Sequence, residues 1–218
     1  VVIMISWIDD NMIVGPSDLV MKLKADLMKE FECDDCGELN EYIGNKIEHV
    51  GEDAIRFVQT VLVQSFEDEF ELGNRCYNTP AQPGTVLMRP AESEEVLSPA
   101  DQTTLRSGVG KLMYLMQHSR PDIAQPVRDL ARYMTRGNSK TMDAMIRCMR
   151  YVLCTRDAGL ILHPSRKWDG SNEHQFRIRG RSDSDYAKDT QTRRSVSGYV
   201  IYLEDSPTMH RSATQKTV

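Results

Sequence analysis

Two carboxylates stand side by side at Asp9 and Asp10, between the apolar runs 1–5 and 12–14. The two β-rich runs are separated by Asp9-Asp10-Asn11, and Gly15-Pro16 closes the second. This pattern predicts a β-hairpin whose polar turn carries the acids where a metal ion could reach them. Turns favour Asp for reasons unconnected with metals, so the pair alone is a weak signal. Cys33 and Cys36 form a second chemically capable pair, a C-x-x-C that would be half a zinc site or a redox couple. No second C-x-x-C and no H-x-x-x-H follows, so zinc would lack its other two ligands.

The elements that must position these groups can be read from periodicity. After the hairpin, Ser17 or Asp18 can cap a helix with Leu19, Val20, Leu23, Leu27 and Phe31 on a face to be buried. Residues 42–47 and 55–58 read as two short strands turned around Gly51-Glu52-Asp53, and residues 61–72 as a helix with Leu62, Phe66 and Phe70 on one side. The stretch 78–99 holds four prolines and little apolar periodicity, which marks a linker. Leu105, Val109, Leu112 and Met116 then make a helical stripe, and Pro121 suits the first turn of a helix over 122–134. A further helix over 141–153 carries Met142, Met145, Ile146, Met149 and Val152. Methionines at this spacing, with Met113 and Met116, are core filler rather than a thioether metal site. Residues 176–178 and 199–203 return to β character, and a turn at 204–207 leads to a third strand.

With 218 residues, 27% charged and 40% hydrophobic, the composition is that of an ordinary globular chain. No apolar run approaches the roughly 18 residues of a membrane helix, and the opening apolar residues lack the flanks of a secretory leader. The sequence begins without methionine inside an apolar strand, as expected of a piece of a longer polypeptide. Residues 1–100 hold 7 Lys/Arg against 20 Asp/Glu and residues 101–218 hold 20 against 12, so the halves carry about −13 and +8. The basic half is compatible with a polyanionic partner. Five cysteines, an odd count, point to reduced thiols in an intracellular compartment.

Taken in order, the motifs resemble the reverse transcriptase and ribonuclease H region of copia-type LTR retrotransposon Pol polyproteins over nearly the whole chain. Trp7-Ile8-Asp9-Asp10 is similar to the family's Tyr-Val-Asp-Asp hairpin. Phe31-Glu32-Cys33-Asp34-Asp35-Cys36-Gly37-Glu38-Leu39 matches a Phe-x-Met-Lys-Asp-Leu-Gly-x-Leu segment, with cysteines where the family carries Met and Leu. Glu41-Tyr42-Ile43-Gly44-Asn45-Lys46-Ile47 resembles the Tyr-Phe-Leu-Gly-Ile-Glu-Ile hairpin that holds the primer end. Leu105 to Leu115 is similar to Tyr-Arg-Ser-Leu-Val-Gly-Lys-Leu-Met-Tyr-Leu, and Ser119-Arg120-Pro121-Asp122-Ile123 to Thr-Arg-Pro-Asp-Ile. Residues 180–187 and 192–200 resemble the Gly-Tyr-Ser-Asp-x-Asp-Trp-Ala and Thr-Arg-Arg-Ser-x-Ser-Gly-Tyr runs that open the ribonuclease H domain.

The resemblance implies an α+β chain: the C-terminal part of a polymerase palm with its β-hairpin, a helical thumb and connection, and the first strands of an RNase H-like mixed sheet. Residues 1–77 would be partial palm and the start of the thumb, 78–100 linker, 101–165 helical connection, and 166–218 a partial RNase H-like domain. It implies metal ligation by Asp9 and Asp10 and, in the second site, by Asp183, with Asp185 as the alternative; Asp9, Asp10 and Asp183 would be the catalytic carboxylates and Mg2+ or Mn2+ the ions. Trp7, Ile8, Ile43 and Gly44 would lie against the nucleic acid. Arg128, Arg132, Arg193 and Arg194 are candidate phosphate contacts, drawn from a set that includes Arg120, Arg136, Lys140, Arg147 and Arg150. The implied partners are an RNA template and a DNA primer, other Pol segments or a second copy of the chain, and no membrane. The implied setting is intracellular, in a cytoplasmic virus-like particle or the nucleus. A third palm carboxylate, the fingers and the ribonuclease H glutamate are not among these residues. The expectation is therefore a catalytically incomplete fragment, with a non-catalytic nucleic-acid-binding or interaction module as the alternative.

Overall fold

The computed structural model describes residues 1–216 except 89, 92, 172, 188, 190 and 191. Within them the chain is α+β, built from antiparallel sheets and a helical core. Strand β1 (Ile3–Trp7) pairs with β2 (Asp10–Val14) from Ile3↔Val14 to Trp7↔Asp10. Helix α1 (Ser17–Glu30) follows, and its start departs from the expected capping: Pro16 holds the N-cap position and no side chain caps the helix. The Pro16 carbonyl accepts from the amides of Leu19 and Val20, while Asp18 sits in the first turn, where its charge suits the helix dipole. The apolar face expected to be buried is not: no residue of α1 is buried, and Phe31 is exposed.

A second sheet runs in the order β3 (Glu41–Tyr42), β4 (Asn45–Val50), β5 (Ala54–Val58), β6 (Leu160–Leu162), all antiparallel. Strand β6 is too short to show in the sequence pattern. It lies against β5 because Gly159 leaves the backbone bare where Phe57 and Val58 approach. Arg56 pins the same edge, hydrogen-bonding Glu48 on β4 and the Asp157 carbonyl before β6.

Between β5 and β6 lies the main core. Helix α2 (Thr60–Glu69) is shorter at its end than the 61–72 reading, since Phe70 leaves the helix in extended backbone, yet Phe70 and Leu72 stay buried. Helix α3 (Pro99–His118) begins on Ser98, whose hydroxyl accepts from the Asp101 amide, and buries Leu105, Val109, Leu112 and Leu115. Met116 is only partly buried and Met113 is exposed, so the stripe turns toward Leu115 at its end. The single helix expected over 122–134 is replaced by a 3-10 turn (Pro121–Ile123) and a short helix α4 (Ala124–Ala131). Pro126 fits inside the first turn of α4, where its missing N–H costs nothing. Helix α5 (Ser139–Cys154) opens with a reciprocal capping box between Asn138 and Thr141 and buries Met145, Cys148, Met149 and Val152. It crosses α3 at Gly108, where a β-carbon would collide with Met145 and Met149.

The stretch expected to be a linker lies against this core. Tyr133 donates to the Leu87 carbonyl at 2.6 Å, the Leu97 amide donates to the Gly137 carbonyl at 3.0 Å, and Leu87 and Leu97 pack on the core cluster. Ahead of it, Tyr77 receives the guanidinium groups of Arg75 and Arg147 at 5.0 and 4.2 Å from its ring centre. The expectation of all-reduced thiols is corrected here. Cys76 and Cys154 form a disulfide across 78 positions, because the strap crosses the end of α5 with the two α-carbons 5.7 Å apart. Cys33 and Cys36 are free and exposed, and burial pushes the free Cys148 thiol up to about 12.

The third sheet is the meander β7 (Ile178–Ser184), β8 (Val196–Leu203) and β9 (Ser206–Thr214). The turn between β8 and β9 is only Glu204-Asp205, both at positive φ, rather than four residues, and Ser206 already begins β9. Glu204 is buried and is what makes this turn rigid. Its carboxylate accepts from Arg166 and from the Arg177 amide, and those bonds hold it down to about 2.

Candidate active-site carboxylates and nucleic-acid interface

Asp9 occupies the two-residue turn between β1 and β2, but Asp10 does not share it: Asp10 is the first residue of β2, paired with Trp7. The other turn residue, Ile8, has φ 53 and is 85% exposed. A β-branched side chain in left-handed backbone is disfavoured, so the ladder on either side must hold it there. The tip therefore presents an apolar side chain, Ile8, beside two exposed carboxylates and the exposed Trp7 ring. Among the described residues no three His, Cys, Asp or Glu side chains gather where they could hold a metal ion. Two consecutive carboxylates do not complete the donor set of the expected two-ion site.

A second hairpin tip is built at Ile43-Gly44, between β3 and β4. Both residues have positive φ, 49 and 65, as a tight two-residue hairpin turn requires. Two donors hold the tip: Tyr114 of α3 gives its hydroxyl to the Ile43 carbonyl at 3.0 Å, and the Asn45 carboxamide donates to the same oxygen at 2.9 Å. This hairpin is thereby fixed to the helical core.

At the other end of the chain, Asp183 and Asp185 behave differently. Asp185 is bound into the sheet, with its carboxylate accepting from the Val196 amide at 2.6 Å and its own amide donating to the Val196 carbonyl. Asp183 lies near the end of β7, is exposed, and among the described residues accepts only from the neighbouring Ser184 amide. It faces Gly198 on β8, which offers no side chain to fill the space. Asp183 is thus the freer carboxylate of the two.

The same face of β7, β8 and β9 opens on a cleft of about 550 Å³ whose opposite wall comes from Gln117, Pro121, Asp122 and Ala124. Arg181, Val200 and His210 stand in one cross-strand row on this face, and Tyr202 lies one step along. Sequence reasoning missed Arg181, His210 and Gln117. The alternation Arg179, Arg181, Asp183 would have revealed the face had the strand been extended beyond Ile178.

The basic residues divide by partner. Arg120 is 2% exposed and is committed to the fold: it holds Asp122 through two hydrogen bonds of 2.9 and 2.7 Å and reaches the Thr155 carbonyl and hydroxyl at 3.1 and 2.8 Å. Tyr151 donates to the same carboxylate at 2.8 Å. Burial pushes the Asp122 carboxyl up, but the hydrogen bonds and charge of Arg120 outweigh it and hold the group below the usual carboxylate range. Arg128 is paired with Asp129, and Arg132 with the buried Asp189. Arg136 donates to the Ala91 carbonyl, and Arg147 donates to Thr79 beside Tyr77. Arg193 and Arg194 are exposed, as is Lys140, and no acid is paired with them among the described residues. The structure does not bring Asp9 and Asp183 into one cluster of carboxylates.

The chain is similar along its whole length to Pol polyproteins of plant transposons. It is 30% identical to the retrovirus-related Pol polyprotein from transposon TNT 1-94 of Nicotiana tabacum and 28% identical to that from transposon RE2 of Arabidopsis thaliana; each match covers 100% of this chain but 16% and 14% of those proteins. An uncharacterized mitochondrial protein of Arabidopsis thaliana, AtMg00810, is 25% identical over 96% of the chain and 85% of its own length. No family model matches, and no solved structure matches.

Proposed function

We propose that this chain, similar along its whole length to copia-type retrotransposon Pol polyproteins, is the reverse transcriptase and ribonuclease H junction of such a Pol protein. Residues 1–77 correspond to palm and the start of the thumb, 101–165 to a helical connection, and 166–218 to the opening strands of an RNase H-like sheet. The observation that carries this reading is the β1–β2 hairpin, which sets Asp9 on an exposed tip between the left-handed Ile8 and Asp10. The reading is also supported by the second hairpin at Ile43-Gly44 and by the free Asp183 on the first strand of the C-terminal meander.

Phosphoryl transfer of this type uses Mg2+ or Mn2+ held by several carboxylates. Asp9 and Asp10 supply two, and Asp183 belongs to the separate ribonuclease H site. The 218 residues alone therefore do not polymerise or cleave, and activity requires acids and nucleotide-gripping residues supplied by further Pol segments. Primer extension on an RNA template with either ion tests this. The isolated chain gives no product, whereas a longer Pol protein is active and loses activity on Asp9→Asn. Extension by the isolated chain that disappears on Asp9→Asn would overturn the proposed incompleteness.

A second reading, a non-catalytic nucleic-acid-binding module, is favoured by the exposed Arg193 and Arg194 in the basic half of the chain, with which no acid is paired among the described residues. It gives salt-dependent duplex binding that survives Asp9→Asn and falls on charge reversal at Arg193 and Arg194. No binding at low salt would remove it.

A further inference from the structure

We propose that the cleft between the 117–124 corner and the C-terminal sheet is a binding site for a nucleoside monophosphate unit. The proposal goes beyond the junction reading and does not rest on Asp183 acting as a metal ligand.

The anion end is set by the strand register. Arg181 and His210 flank Val200 on one face, two strand spacings or about 10 Å apart at the backbone. Both side chains line the cleft, and neither has a hydrogen-bond or ion-pair partner among the described residues. Two unengaged nitrogen donors, one a planar guanidinium, facing each other across a valine suit a single phosphate held from both sides. Two carboxylates line the cleft as well: Asp122 is already occupied by Arg120 and Tyr151, and Asp183, two positions along β7, forms no ion pair with Arg181.

The rest of the cleft is shaped for an aromatic body. Val200 and Tyr202 line it on the sheet side, with the Arg179 guanidinium 5.3 Å from the centre of the Tyr202 ring, and Gln117 on the opposite wall brings a carboxamide that makes no hydrogen bond among the described residues. An apolar side chain, a ring and a free donor–acceptor pair are what a nucleobase needs for stacking and for pairing one edge. The volume of about 550 Å³ lies within the range of ordinary small-molecule pockets. A free phosphate would leave that apolar part unused, and a purely apolar ligand would leave Arg181 and His210 unpaired.

The same unit could arrive as a free nucleotide or as an unpaired residue of a strand. Calorimetric titration of the full chain at low salt, with EDTA present so that no metal role enters, separates the cases. The probes are AMP, adenosine, inorganic phosphate and an adenylate hexamer. AMP or the hexamer should saturate one site, with adenosine and phosphate each about tenfold weaker or worse. Arg181→Ala and His210→Ala should each weaken the tighter ligand by about tenfold, the scale of one charge-assisted hydrogen bond, while Lys22→Ala on the exposed helix α1 changes nothing. Binding of AMP assigns a free nucleotide, and binding of the hexamer alone assigns a strand residue. Saturation by neither, or affinity unchanged in Arg181→Ala, overturns the proposal.

Discussion

Replacing Arg120 with Met should unfold the helical core at markedly lower denaturant, because this guanidinium joins the corner after α3 to the end of α5. Met keeps much of the apolar volume and removes only the charge and its donors. Two of the lost hydrogen bonds go to Thr155 just past α5, one to its hydroxyl and one to its carbonyl, which also accepts from the Ala158 amide. At roughly 1.5 kcal/mol for each bond from a charged group, these two contribute about 3 kcal/mol. The pair with Asp122 adds less than a fully buried pair would, since that carboxylate is 40% exposed and water can take over part of its solvation. Urea unfolding followed by far-ultraviolet circular dichroism reads the helices directly. With a slope of about 2–3 kcal/mol per molar, the midpoint should fall by about 1 M. Asp122 adds a pH signature. Its carboxyl titrates below its unfolded value, so its contribution is complete above the ordinary carboxylate range and is lost as pH falls below it. The difference between wild type and Asp122→Asn should therefore shrink only in that acid window. A midpoint shift under about 0.3 M for Arg120→Met would refute the view that the buried arginine is structural.

The β8–β9 turn gives a second acid-dependent outcome. Glu204→Gln should lower the melting temperature at neutral pH, and the deficit should close as pH drops from 4.5 toward about 2, where wild-type Glu204 takes up its proton; a deficit independent of pH across that window would contradict the assignment. At the α3–α5 crossing, Gly108→Val should cost about 1–3 kcal/mol through its collision with Met145 and Met149, with partial rescue by Met145→Ala, as measured by thermal denaturation. Stabilisation there would mean the helices are not in contact. Cleavage of the Cys76–Cys154 bond by a thiol should destabilise the core by up to about 4 kcal/mol for a loop of this length, and Cys76→Ser should be insensitive to the reductant. Equal reductant sensitivity in the variant would place the effect elsewhere.

What the sequence disclosed depended on whether a signal was local. The helical stripes on α3 and α5 are periodic over several turns, and the core at Leu105, Val109, Leu112, Met145 and Met149 follows from them. The Asp9 tip was legible because it lies within a dozen residues of chain. The mate of β5, in contrast, is a three-residue strand more than a hundred positions later, and no local pattern announces it. The cysteine count suggested free thiols because it carries no geometry, whereas the pairing arises from a strap that passes one helix end. Arg120 looked like any other basic residue; only burial shows that its charge is spent inside the fold. Arg181 and His210 come from strands that meet only in the finished sheet, so their convergence is a property of register.

The pairing of β5 with β6 also bears on how the chain is made. Because Ile55 waits for Leu162, the second sheet keeps an open edge while the intervening residues leave the ribosome, roughly 5–20 s at ordinary elongation rates. During that interval the hairpin β4–β5 offers Ile55 and Phe57 on an unpaired strand to any neighbouring nascent chain. Slowing translation should then increase aggregation during synthesis, since all of the helical core is made before the strand that closes this edge.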